Sequence, residues 1–259
     1  MKSIEHAVIM NDAFAAAAMT QALSGVRMAE ERLPFTVRVV RGDDALQKAV
    51  AIRQAAYARH MPVLAERLGA PEPLDNDQGS VVLLAESKLD GSPVGTMRIQ
   101  TNRFNPLSIE QAGGVDLPTW LRNKSQAEAT RLGIDLGRTG RLVKTTLFKA
   151  FFLYCVEANI EWMVIGARSP LDRMYDALLF QDLFPGQYIP MRHFNNIPHR
   201  VLAFEVGTAQ ERWASANHPL YDFVFRTQHP DLDLSDSDYS TRSLSAPASE
   251  VSDRVAISA

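Results

Sequence analysis

The run from Leu142 to Ala158 constrains the fold more than any other stretch. From Leu147 onward it is apolar almost all round, with Phe148, Phe151, Phe152 and Tyr154 spread over more than one side of a helix. A helix without a polar face belongs between layers, packed against a sheet. Segments with strand character lie on both sides of it. Phe35 to Arg41 alternates, and Val81 to Ala85 and Val94 to Gln100 flank an Asp90-Gly91-Ser92-Pro93 turn that predicts a hairpin. Ala127 to Ile134 and Trp162 to Gly166 bracket the long helix, and Arg200 to Val206 is the last clear strand. Further helices are predicted from Ala45 to about His60 and from Ser169-Pro170 through about Leu179. The order β-α-β-β-β-α-β-α-β predicts an α/β fold.

This reading divides the 259 residues into a helical N-terminal extension over 1–34, a main domain over 35–229 and a flexible tail over 230–259. Pro34 ends the Ala-, Met- and Leu-rich extension, and the tail is rich in Ser and Asp. A hydrophobic fraction of 46% is ample for a core. The balance of 27 basic against 30 acidic residues leaves a net charge of −3, so no global basic field points to nucleic acid. A single cysteine, Cys155, excludes an internal disulfide framework and suits a reducing cytoplasm. No apolar run approaches the roughly 20 residues of a spanning helix. The histidines show no metal-ligand spacing, so no metal is assigned.

Chemistry-bearing residues fall in short groups. Arg53 and Tyr57 share a helix face one turn apart. Asp75 and Asp77 sit in a Pro- and Gly-rich loop, and Arg98 ends the group Gly95-Thr96-Met97-Arg98. In Glu128-Ala129-Thr130-Arg131, strand alternation puts Glu128 and Thr130 on one face and Arg131 on the other. A carboxylate in a partly desolvated cleft can deprotonate an ammonium; an ion pair with Arg98 is the structural reading of the same Glu128. Gly137-Arg138-Thr139-Gly140-Arg141 opens the long helix, where unpaired N–H groups and close backbone approach suit a phosphate or simply an ordinary turn.

In content and order the first four groups resemble the acyl-homoserine-lactone synthases. Tyr175-Asp176-Ala177-Leu178-Leu179-Phe180 is similar to the tyrosine-bearing helix of the wider GNAT superfamily of N-acyltransferases. The resemblance spans roughly Phe35 to Val206 and implies a GNAT-like acyltransferase fold, a mixed central sheet flanked by helices. It implies Glu128 as general base and Tyr175 as the acid that protonates the departing thiolate. Arg53, Tyr57, Asp75, Asp77, Arg98 and Arg131 would form the acceptor site. Leu132, Gly133, Ile134, Arg138, Gly140, Phe148 and Phe152 would hold the pantetheine arm and acyl chain, with a backbone N–H around Leu132 to Ile134 meeting the oxyanion.

Two departures refine the expectation. Arg141 stands where the pyrophosphate loop of the superfamily carries glycine, which favours a donor on acyl carrier protein over coenzyme A. Arg141, Lys144 and Lys149 would then form a basic rim for that acidic partner. The tryptophan that lactone synthases carry downstream of the first arginine is replaced around Val63, which turns the resemblance toward the long-chain N-acyl amino acid synthases. The expected reaction moves a fatty acyl group from the carrier thioester to the α-amine of an amino acid, in the cytoplasm, with no further cofactor. A lactone synthase using S-adenosylmethionine and a non-catalytic acyl- or carrier-binding module are the rivals.

Overall fold

The computed structural model describes residues 28–235. Eleven strands are numbered in chain order: β1 Ala29–Glu30, β2 Phe35–Val39, β3 Ser80–Ser87, β4 Pro93–Thr101, β5 Gln126–Ile134, β6 Trp162–Ala167, β7 Gln181–Asp182, β8 Ile189–Met191, β9 Ile197–Glu205, β10 Thr227–Gln228 and β11 Leu232–Asp233. The helices are α1 Gly42–Ala58, α2 Pro62–Arg67, α3 Ser108–Gln111, α4 Thr119–Arg122, α5 Gly140–Glu157, α6 Asp172–Ala177 and α7 Ala209–Ser215. Strand order in the main sheet is β11-β2-β3-β4-β5-β6-β9-β7, with β8 paired on β9. The expected mixed sheet is present: β2 to β5 run antiparallel in sequence, β5 and β6 are parallel, and β6 and β9 are antiparallel.

The hairpin turns where the Asp-Gly signal placed it, with Gly91 at φ +70°. That left-handed conformation is one that glycine adopts without steric cost. Helix α5 lies on the sheet as its all-round apolarity requires, burying Val143, Leu147, Phe148, Phe151, Phe152, Tyr154 and Cys155 against β2, β4 and β6 residues such as Val37, Met97 and Met163. At Gly95 a Cβ would stand 2.5 Å from Val143 Cγ1, so the missing side chain lets α5 approach β4.

Both ends of the predicted domain need correction. Residues 28–34 are not helical: β1 pairs in parallel with β10, and the remainder of the predicted N-terminal helix lies outside the described residues. Nor does the ordered chain stop at 229. β11 pairs in parallel with β2, Leu234 is buried, and the Asp231 carboxylate accepts a 2.8 Å hydrogen bond from Leu33 N while pairing with Lys88. Two-residue strands carry no periodicity to read, so long-range pairing alone defines them. The predicted tail beyond Ser235 lies outside the described residues.

Candidate active site

The central feature is a divergence of two parallel strands. β5 and β6 are in register from Gln126↔Trp162 to Glu128↔Val164 and pair no further, although β5 runs on to Ile134 and β6 to Ala167. Beyond Glu128 the edge of β5 facing β6 therefore lacks a strand partner. An unpaired peptide edge inside a cleft is a template for an extended ligand.

A cavity of about 540 Å3 opens at this divergence, and both Glu128 and Tyr175 line it. Leu132, Lys144 and Tyr175 also line a second, almost wholly apolar cavity of about 430 Å3, bounded by Met97, Phe148, Phe151 and Leu178. The two cavities thus meet at Tyr175: one carries polar groups such as Glu128, Arg131 and His193 in its wall, and the other continues inward beneath α5.

Glu128 is buried, and its Oε2 accepts a 2.9 Å hydrogen bond from Ile109 N. Burial raises its pKa to about 7, against the lowering effects of the Ile109 N–H and the charges of Arg98 and Arg131. Such a group exchanges its proton near neutrality. The Tyr175 phenol is also pushed well up by burial, and its hydroxyl has no hydrogen-bond partner among the described residues. It stays a neutral donor at the junction of the cavities.

Behind the cleft wall stands a network of three guanidinium groups and two carboxylates. Arg53 donates through Nη1 and Nη2 to Asp75 at 2.9–3.1 Å. Arg98 bridges Asp75 and Glu72, each at 3.1 Å, and Arg131 grips Glu72 through Nε and Nη2 at 2.6 and 2.8 Å. Burial works to raise the Glu72 pKa, but the Arg131 hydrogen bond and the charges of Arg131, Arg98 and Arg53 outweigh it and hold the group at about 2. The network carries one net positive charge, and Arg98 Nη2 and Arg53 Nε have no acceptor among the described residues. Ionised Glu128 balances that charge.

Several sequence-predicted positions are brought together and others are not. Arg131 belongs on the same side as Arg98 and Thr130, contrary to strand alternation. A bulge opposite Thr96–Arg98 puts Arg131 at φ +56°, and this turns its side chain toward Glu72 and over the Phe194 ring, 5.2 Å away. Tyr57 and Arg131 line the polar cavity; Arg53, Asp75 and Arg98 are buried behind it. Asp77 takes no part in the network: its Oδ2 is buried 3.6 Å from the Cβ position of Gly79, with no hydrogen-bond partner among the described residues.

The donor-side residues divide similarly. Leu132, Ile134, Gly140, Arg141 and Lys144 line the polar cavity, whereas exposed Arg138 does not. Gly133 is a packing residue, since a Cβ there would stand 3.0 Å from Arg53 Cα. Gly133→Ala is expected to lower stability by about 2 kcal/mol through overpacking against the α1 backbone, read from the denaturant midpoint. An unchanged midpoint would remove this role. Phe148 lines the apolar cavity, but Phe152, one turn further along α5, lines a separate cavity instead. Lys149 also leaves the basic rim: it is buried, donating to Phe223 O at 2.8 Å and Thr227 O at 2.5 Å.

Sequence reasoning missed Glu72, His193 and Phe194. Glu72 lies between two prolines in a loop whose composition carries no signal for an arginine clamp. His193 lines the polar cavity beside Arg131, and burial followed by the Arg131 charge lowers its pKa to about 4, so it is neutral near pH 7. No group of metal-binding side chains occurs among the described residues.

The splayed β5–β6 pair, the helix-covered mixed sheet and the cleft between them define a protein with the GNAT N-acyltransferase fold. Its likenesses to solved structures agree. FeeM, an N-acyl amino acid synthase from uncultured soil microbes, superposes with a TM-score of 0.55 at 17% identity, over 70% of this chain and 96% of that one. BjaI, a CoA-dependent acyl-homoserine lactone synthase solved with SAM and isopentyl-CoA, does so with a TM-score of 0.52 at 17% identity, over 75% of this chain and 93% of that one. No family model matches the sequence, and no curated protein does either.

Proposed function

We propose that this protein is an N-acyltransferase that moves a long fatty acyl group from a carrier-protein thioester to the α-amine of an amino acid. The observation that carries this reading is the junction at Tyr175 of a polar cavity containing Glu128 with an apolar cavity beneath α5. FeeM, whose fold this chain shares, makes N-acyl amino acids, and BjaI acylates from a coenzyme A thioester; the reading takes the first as its guide.

The pantetheine arm lies along the unpaired edge of β5, where its amides meet the free peptide groups, and the acyl chain fills the apolar cavity. In the polar cavity the acceptor carboxylate meets Arg131, whose Nη1 makes no hydrogen bond among the described residues while Nε and Nη2 hold Glu72. Glu128 takes a proton from the ammonium, freeing a lone pair to attack the thioester carbonyl. As the C–S bond breaks, the Tyr175 hydroxyl passes its proton to sulfur, and the phenolate regains one from the acylated nitrogen. The products are an amide and a thiol.

Exposed Arg59 and Arg141 with half-buried Lys144 line the mouth, exposed Arg138 follows Gly137 of the same wall, and together they supply a local basic field for an acidic carrier. Mass spectrometry of organic extracts from cells expressing the protein tests the reaction: new N-acyl amino acids, missing with Glu128→Ala, support it. N-acyl lactones, or no new lipid, oppose it. Purified assays with acyl carrier protein and acyl coenzyme A then separate the donors. Tyr175→Phe is expected to lower kcat about tenfold to a hundredfold. The loss is smaller than for the base because a thiol, with a pKa near 8.5, leaves readily without full protonation.

A further inference from the structure

Along the C-terminal half of α5 lies the largest cavity among those described, about 1060 Å3, walled mostly by apolar groups such as Phe152, Val156, Ile160 and Phe225. None of the residues lining it lines either of the cavities that meet at Tyr175. Two buried basic side chains, Lys149 and His229, stand in its wall.

Their hydrogen bonds define an unused donor. Lys149 Nζ contacts His229 Nδ1 at 2.8 Å. An ammonium can only donate, so Nδ1 is the acceptor and the ring proton resides on Nε2. The His229 side chain is 0% exposed, and Nε2 has no hydrogen-bond partner among the described residues. A buried donor left unpaired is unfavourable, and so is the neighbouring ammonium, which has only neutral acceptors. Desolvation draws the Lys149 pKa down to about 8, and desolvation followed by the Lys149 charge lowers that of His229 to about 4. The nearest carboxylate is Glu31, 3.8 Å from Nε2 but with a side chain 56% exposed, so a ligand can displace it.

The acids Glu161 and Glu205 also line the cavity, but they are engaged, Glu161 by Lys124 and Ser125 and Glu205 by Thr208. Glu161 follows the C-terminal end of α5, which lies eight residues, about 12 Å, from Lys149. The polar end of the cavity therefore holds one buried cation, Lys149, with the exposed Glu31 and with Asp231, which Lys88 and Leu33 N engage, as the carboxylates near the pair, and its long apolar wall runs along Phe152 and Val156.

We infer that this cavity binds an alkyl chain ending in a carboxylate, with the head on His229 Nε2–H beside Lys149 and the chain along α5. A free fatty acid and an N-acyl amino acid share that chemistry. The site does not depend on the transfer reaction, and its failure would leave the proposed function intact.

Photolabelling the full chain with diazirine-bearing hexadecanoic acid tests it, with labelled residues mapped by peptide mass spectrometry. Labels are expected on the walls of this cavity. Hexadecanoate and N-hexadecanoyl glycine compete for them and hexadecanol does not; the better competitor identifies the source of the ligand. His229→Phe lowers the affinity about tenfold or more. Val156→Trp, at a position 41% exposed, blocks labelling without touching the polar pair. Labels confined to the cavity beside Tyr175, equal competition by the alcohol, or no labelling of this cavity because residues 1–27 fill it would each overturn the inference.

Discussion

Glu128→Gln is expected to lower kcat/KM for acyl transfer by roughly 10²- to 10⁴-fold, the usual contribution of a positioned general base. The amide keeps the shape of the side chain and can still accept from Ile109 N, so the fold should survive; only proton uptake is lost. The pH dependence identifies the group. Burial raises the Glu128 pKa to about 7, so the active carboxylate form accumulates as pH rises through that value. In the unmodified protein kcat/KM should therefore climb with unit slope below about pH 7, a limb that the Gln variant lacks. Ionisation of the free amino acid's α-amine, which its own carboxylate holds well above the range of a peptide N-terminus, should appear as a separate step at higher pH in both. An unmodified protein with no limb near 7, or a variant retaining it, would dismiss Glu128 as the base.

Glu72→Ala carries the largest expected effect on stability, about 3–5 kcal/mol. Its carboxylate holds Arg131 at 2.6 and 2.8 Å and Arg98 at 3.1 Å, and Arg53 Nη1 lies 3.5 Å away. Without it three buried guanidinium groups share Asp75 alone. Lys48 with Glu86 offers the contrast: the pair is close at 2.6 Å, but Lys48 is 47% exposed, and Glu86→Ala should cost under about 1 kcal/mol. Urea midpoints compare the two variants directly. The Glu72 pKa is depressed from 4.5 to about 2, so its stabilising effect is complete above 4.5 and disappears as pH falls from 4.5 toward 2. The Ala variant should lose part of the acid sensitivity in that window. Equal midpoints for the Glu72 and Glu86 variants would show that the network is not structural.

Much of the scaffold was legible because its signals are local. The Asp90-Gly91 turn, the alternation of Phe35 to Val39 and the apolarity of α5 all act within a few residues, and each element formed close to its expected place. Glu128 and Tyr175 were found through motifs and do share one cleft. The misassignments arise where a residue's role depends on distant partners. Lys149 looked like a surface cation and is buried against carbonyls more than 70 positions away. Phe152 has the same character in sequence as Phe148 and lies one turn along the same helix, yet it lines a different cavity.

By itself the sequence determined the element order, the layering of α5 on the sheet and the residue types available to the cleft, because hydrophobic period and turn chemistry are properties of short segments. Only the tertiary structure decided which charges meet. The bulge that puts Arg131 at φ +56° reverses its face, and the loop carrying Glu72 closes on it across 59 positions. A charge's partner and its solvation are set by the whole surrounding packing, which no local pattern encodes.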